Sequence, residues 1–314
     1  MNGSVRSSAG LIWRHQRLVW WIFAVNLGIA WLSSLSVRAA LRPILDRSLE
    51  SAKLVTGFDV GTLALLAERP EVSPRVLAPG AIVAALLFVV FLLFIDGGVL
   101  AVFLDDRKLS RAEFFENSGL FFWRMVRLAL YSAVPFGLLA AADGSMAKFA
   151  GKLADNAPQD WLGFAVNVGS KLVIVVLALF VRLWFDLAQA TVVRDDERKV
   201  LRTLTHSLIL AFRSGELFAS YIGIGLFGVA TFGIGAGIWF YLPHSATVAS
   251  FLILEIVTVT QIASRLWLKA ASARWIALLP DEAAFSPVPV QVTQTPVDGV
   301  TDVQAQLPDP PMSE

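Results

Sequence analysis

The chain runs to 314 residues, of which 56% are hydrophobic and only 16% charged, with 26 lysines and arginines against 25 acidic residues and a net charge of +1. Helices of a soluble domain turn a polar face to water, and the long charge-free runs here have none, so a soluble globular protein is excluded. Cysteine is absent, which also excludes disulfides and thiolate metal centres.

The first apolar run, Leu18 to Val37, is charge-free between Arg17 and Arg38. About 20 residues cross a bilayer, whereas the apolar part of a cleavable signal has roughly 7 to 15, so the run predicts an uncleaved anchor. The loop beyond it is expected to hold short helices through Leu41 to Leu54 and from Asp59 to Glu68, ended by Pro70 and Pro74. Val76 to Ile95 opens a second crossing at about 80–104. Ser110 and Glu113 then read as a capping box, and Phe114, Phe115, Phe121, Phe122 and Met125 recur on one helical face, which predicts a helix lying in the membrane surface.

A third crossing at about 120–142 has only fifteen uncharged residues between Arg127 and Asp143, so it spans only with Arg124 and Arg127 reaching the interface. A fourth is placed at 162–190. After it, Val200, Leu204, Leu208 and Ala211 form an apolar stripe opposite Arg198, Lys199, Arg202, His206 and Arg213, a second surface helix. Leu217 to Leu254 is charge-free for long enough to cross twice, and Leu242, Pro243 and His244 mark a turn within it, giving spans at 216–241 and 246–270.

The fold class is therefore an all-α polytopic membrane bundle with six transmembrane helices plus interfacial amphipathic helices, occupying residues 1–279. Residues 280–314 carry six acidic groups, no lysine or arginine and many prolines, and read as a disordered tail. Without that tail the net charge moves from +1 to about +7, which suits a bilayer with anionic lipid headgroups as partner. With the N-terminus cytoplasmic, sixteen basic residues fall on the inner side and eight on the outer, so both termini are expected inside.

The features that point beyond topology are buried charges. Asp96 precedes Asp105, Asp106, Arg107 and Lys108, and ninety residues later Asp186 precedes Asp195, Asp196, Glu197, Arg198 and Lys199. A lone carboxylate in hydrocarbon costs roughly 2.5 to 3.5 kcal/mol on insertion scales, so each requires a partner within a bundle. The second, fourth and sixth spans run in the same direction, and Arg182, Leu183 and Trp184 recur as Arg265, Leu266 and Trp267. That register predicts an inner layer of Asp96, Arg182, Asp186, Gln189, Gln261, Arg265 and Lys269, and an outer ion pair between Lys171 and Glu255, with opposite charges on the facing stripes of the fourth and sixth spans.

Gly97 and Gly98, directly after Asp96, are a candidate break in a helix at a transport site. Gly233 and Gly237 form a small-xxx-small pair expected to pack helices, within the bundle or between copies.

No catalytic signature is found. His15, His206 and His244 are too scattered to share a metal, no cofactor motif is present, and the arginines near Asp96 and Asp186 argue against an aspartic-protease-like pair. The interleaved acids of the basic loops favour lipid over nucleic acid.

From Arg182 to about Phe240 the order is an arginine-containing span, a DDERK loop, an amphipathic helix ending near Arg213, Ser214 and Gly215, and a glycine-rich span. This order, with the segment EFFENSGLFFWRMVRL at 113–128, resembles the membrane domain of some glycerophosphodiester phosphodiesterases and related six-span bacterial proteins. The resemblance implies a helical, non-catalytic unit of a bacterial inner membrane, without phosphodiesterase activity, because the sequence holds no soluble catalytic barrel. The function expected from residues and resemblance together is structural, accessory or regulatory within the cell envelope, with envelope proteins as partners. The alternative is a small-solute or lipid permease using the buried charges.

Overall fold

A computed structural model describes residues 2–46, 74–107, 110–156, 160–197, 199–242 and 246–279. These residues are helical with short connections and no strand: α1 (Asn2–Arg14), α2 (Gln16–Leu45), α3 (Pro74–Asp105), α4 (Arg111–Asn156), α5 (Asp160–Arg194), α6 (Val200–Arg213), α7 (Gly215–Tyr241) and α8 (Thr247–Ala277). Six of them, α2, α3, α4, α5, α7 and α8, are long and apolar enough to cross a membrane. Most of the first-loop helices expected at Leu41 to Leu54 and Asp59 to Glu68, the turn at Pro243 and His244, and the tail from Pro280 lie outside the described residues.

Helices α3, α5 and α8 touch one another and form the centre, with α2, α4 and α7 packed around them. The core lies at one end of this arrangement, where the central helices finish. Val99, Leu100 and Phe103 of α3, Leu183 and Leu187 of α5 and Ile276 of α8 are fully buried there. Short amphipathic helices cover this end. The indole N–H of Trp184 donates to the Leu204 carbonyl of α6 at 2.8 Å, and that of Trp267 donates to Ser8 Oγ of α1 at 3.0 Å. The repeated Arg-Leu-Trp triplet thus does the same work twice: its leucine fills the core and its tryptophan holds an amphipathic helix.

The capping box forms, with Ser110 N–H donating to Glu113 Oε2 at 2.7 Å and Glu113 N–H to Ser110 Oγ at 3.2 Å. The helix that it starts is not a separate surface helix, however. It continues unbroken for 46 residues, about 69 Å at 1.5 Å per residue, more than twice the roughly 30 Å of a hydrocarbon core. Nothing between Glu113 and Leu128 stops it, since Gly119 alone is tolerated in a helix, and burial of Phe121, Met125 and Leu128 ties the entry segment to the same core as the span. At the corresponding place after α5 the chain does break: α6 and α7 are separate helices meeting at the buried Ser214.

The two aspartate pairs also take equivalent conformations. Asp106, just beyond α3, and Asp196, just beyond α5, both have φ of 48°, in the left-handed region that asparagine and aspartate enter more readily than most residues. Each is gripped by an arginine. Asp106 faces Arg14 at 3.3 Å and Arg274 at 3.6 Å, and Asp196 faces Arg124 at 2.6 Å. Arg14 and Arg124 occupy one local pattern, Trp13-Arg14 with Arg17-Leu18 and Trp123-Arg124 with Arg127-Leu128. That recurrence was readable beforehand and would have announced α1 as a counterpart of the α4 entry.

Candidate functional site

The buried charges come from all three central helices. Lys269 of α8 holds the Asp96 carboxylate of α3 at 2.6 Å, with both side chains only 14% exposed. Its ammonium also donates to Gln189 Oε1 of α5 at 3.1 Å, so three helices meet at one cation. One turn away on α5, Asp186 is buried and faces Arg182 at 3.7 Å. The closer partner of Asp186 was missed in the sequence. Tyr221 of α7, fully buried, has its hydroxyl 2.9 Å from Asp186 Oδ2 and 3.1 Å from the Leu268 carbonyl, sharing its one hydrogen between them. Its signal was a tyrosine, one of three in the chain, inside an otherwise apolar and glycine-rich span.

Two members of the expected layer stand apart. Gln261 donates to the Gly228 carbonyl of α7 at 2.7 Å and to Thr231 Oγ1 at 3.4 Å, which joins α7 to α8 rather than entering the charge layer. Arg265 is exposed and has no ion pair or hydrogen bond among the described residues. Asp96, Asp186, Arg182, Arg265 and Lys269 together bring three positive charges and two negative.

The outer ion pair differs from expectation as well. Lys171 pairs with Asp143 of α4, at 2.6 Å and 2.5 Å to its two oxygens, not with Glu255. The reason is the length of α4: continuing past residue 142, it carries Asp143 alongside α5 on the helix that α5 packs against most extensively.

The glycines are redistributed too. α3 passes through Gly97 and Gly98 without a break, and their purpose is close contact with α4. A Cβ at Gly98 would stand 2.8 Å from the Phe114 carbonyl oxygen, and one at Gly97 would stand 2.9 Å from Phe121 Cβ. Gly233 and Gly237 meet nothing within 4 Å among the described residues, so they pack no helix within the bundle; Gly228, against Gln261 and Ser264, and Gly235, against Val257, do so instead. On a helix these positions turn to different sides, and only the α7–α8 contact decides which side is used.

Between α4 and α5 an open cleft of about 280 Å³ reaches the charge layer. Arg182, Asp186 and Gln189 line it from α5, and Leu128, Ser132 and Phe136 from α4. Comparison with known proteins finds no matching family model, no matching curated protein and no matching solved structure.

Proposed function

We propose that this chain is a non-catalytic membrane protein with a structural, accessory or regulatory role in a cell envelope, and that its buried charges fix the register of the bundle. The observation that carries this reading is the use of Asp96, Lys269, Gln189, Asp186 and Tyr221 in bonds to one another across four helices. Groups committed in this way lock helices together and leave little free to bind a passing solute. The excess of basic residues at the core end supports a cytoplasmic side there, in keeping with the reading that both termini lie on the cytoplasmic side of a bacterial inner membrane. The likeness to the membrane domain of glycerophosphodiester phosphodiesterases agrees with such a role, and the envelope partners would be met at the basic end.

The absence of native cysteine makes the test simple. Single cysteines at Asp96, Asp186 and Gln189 are expected to resist a membrane-impermeant thiol reagent in intact membranes. Labelling at all three would replace this reading with the permease, which the cleft beside Arg182, Asp186 and Gln189 favours.

A further inference from the structure

Arg182 and Arg265 stand at equivalent stations. Each is followed by a core leucine and by a tryptophan hydrogen-bonded to an amphipathic helix, on two central helices that pack together. What differs is the residue one turn later: Asp186 follows Arg182, whereas Lys269 follows Arg265 and is committed to Asp96. Arg265, within Coulombic reach of Arg182, is thereby left as a second cation without a carboxylate. A guanidinium beside lipid without a counter-charge is costly, so the layer is built for an anion that the described residues do not supply.

Arg182 is also free to receive one. Its side chain is 34% exposed, and its 3.7 Å approach to Asp186 is too long for a hydrogen bond, so its planar donor fork is largely unused. Beside it, Gln189 has its carbonyl taken by Lys269 and its amide hydrogens available. Both groups open onto the α4–α5 cleft, whose apolar side is Leu128 and Phe136. At about 280 Å³ the cleft falls just below the roughly 300 to 1,000 Å³ of sites that enclose a whole small molecule. It accommodates a headgroup whose chains lie elsewhere. Further along the same helix faces, Phe136 of α4 and Val175 of α5 are exposed apolar surface on which an acyl chain would lie.

We propose that the α4–α5 cleft is a site for the phosphate headgroup of one anionic phospholipid, held by the Arg182 fork and the Gln189 amide, with Arg265 outside the cleft lining adding a surplus positive charge near Arg182. The site does not depend on whether the protein moves lipid or remains static.

The test uses the full chain in neutral detergent, with phosphatidylglycerol as the probe and native mass spectrometry and melting temperature as readouts. One phosphatidylglycerol is expected to be retained, at least about tenfold more tightly than phosphatidylcholine, and to raise the melting temperature. Arg182→Gln and Arg265→Gln should each weaken retention at least about fivefold, with Arg213→Gln, at the exposed end of α6, within about twofold of the parent. Among the described residues Arg265 has no ion pair or hydrogen bond, so Arg265→Gln is expected to fold normally and decides the matter even where Arg182→Gln does not fold. Equal retention of phosphatidylcholine, unchanged retention by Arg265→Gln, or displacement of the lipid by millimolar inorganic phosphate would each overturn the proposal, the last by revealing a site for a free anion.

Discussion

Along α3, Ile95 to Phe103 is buried at nearly every position, while Ile82, Val83, Leu86 and Leu87, further from the core end, are exposed. The same change occurs along α5, from the buried Leu183 and Leu187 back to the exposed Leu172, Val173 and Val175, and along α8, from Ile276 back to Phe251, Leu252 and Leu254. One half of the bundle is thus closed by amphipathic helices, close glycine contacts and charges that bond across helices. The other half is apolar on almost every side. In a bilayer the hydrophobic effect does not hold two greasy helices together, since lipid serves as well as a neighbour, so cohesion comes from packing and polar bonds. The contrast teaches that the charged half should hold the structure and the apolar half should follow it.

The largest effect is expected at Lys269. Lys269→Met strands the Asp96 carboxylate and should lower stability by about 3–5 kcal/mol, measured by reversible unfolding in mixed micelles. Adding Asp96→Leu should recover most of that loss, and a double variant as unstable as the single one would show that the pair is not the source of the effect. Tyr221→Phe removes the short bond to Asp186 and leaves a buried carboxylate under-satisfied; a loss of about 1–3 kcal/mol is expected by the same method.

Glycine substitutions sharpen the contrast in packing. Gly98→Ala forces a methyl against the Phe114 carbonyl and should cost about 1–3 kcal/mol, whereas Gly233→Ala meets open space and should be neutral or slightly stabilising. Comparable thermal shifts for the two would break the argument. Among the charge substitutions the smallest loss is assigned to Asp143→Asn, because the Lys171–Asp143 pair is half-exposed and lies in the apolar half; roughly 0.2–1 kcal/mol is expected. A loss at Asp143 equal to that at Lys269 would mean that both halves hold the bundle.

The outcome of the sequence reading follows the range over which each signal acts. Helical crossings and capping boxes are local, and the structure has six long apolar helices and the Ser110–Glu113 box, although α4 extends well beyond the expected 120–142. Whether a helix stops or continues is also local in principle, but Gly119 alone gave no clear instruction, and α4 ran through it. That continuation displaced the partner of Lys171 from Glu255 to Asp143. Gly228 and Gly235 could not be preferred over Gly233 and Gly237, because a small residue is informative only once the facing helix is known.

By itself, then, the amino-acid order determined the helices, their apolar length, the shared station of Arg182 and Arg265, and the need of Asp96 and Asp186 for partners, since desolvating a charge is costly whatever surrounds it. Only the tertiary structure decided that Lys269 answers Asp96, that Tyr221 answers Asp186 and that no carboxylate among the described residues answers Arg265. Hydrogen bonds and ion pairs act over a few ångströms, and which side chains come that close depends on how separate helices turn and pack against one another.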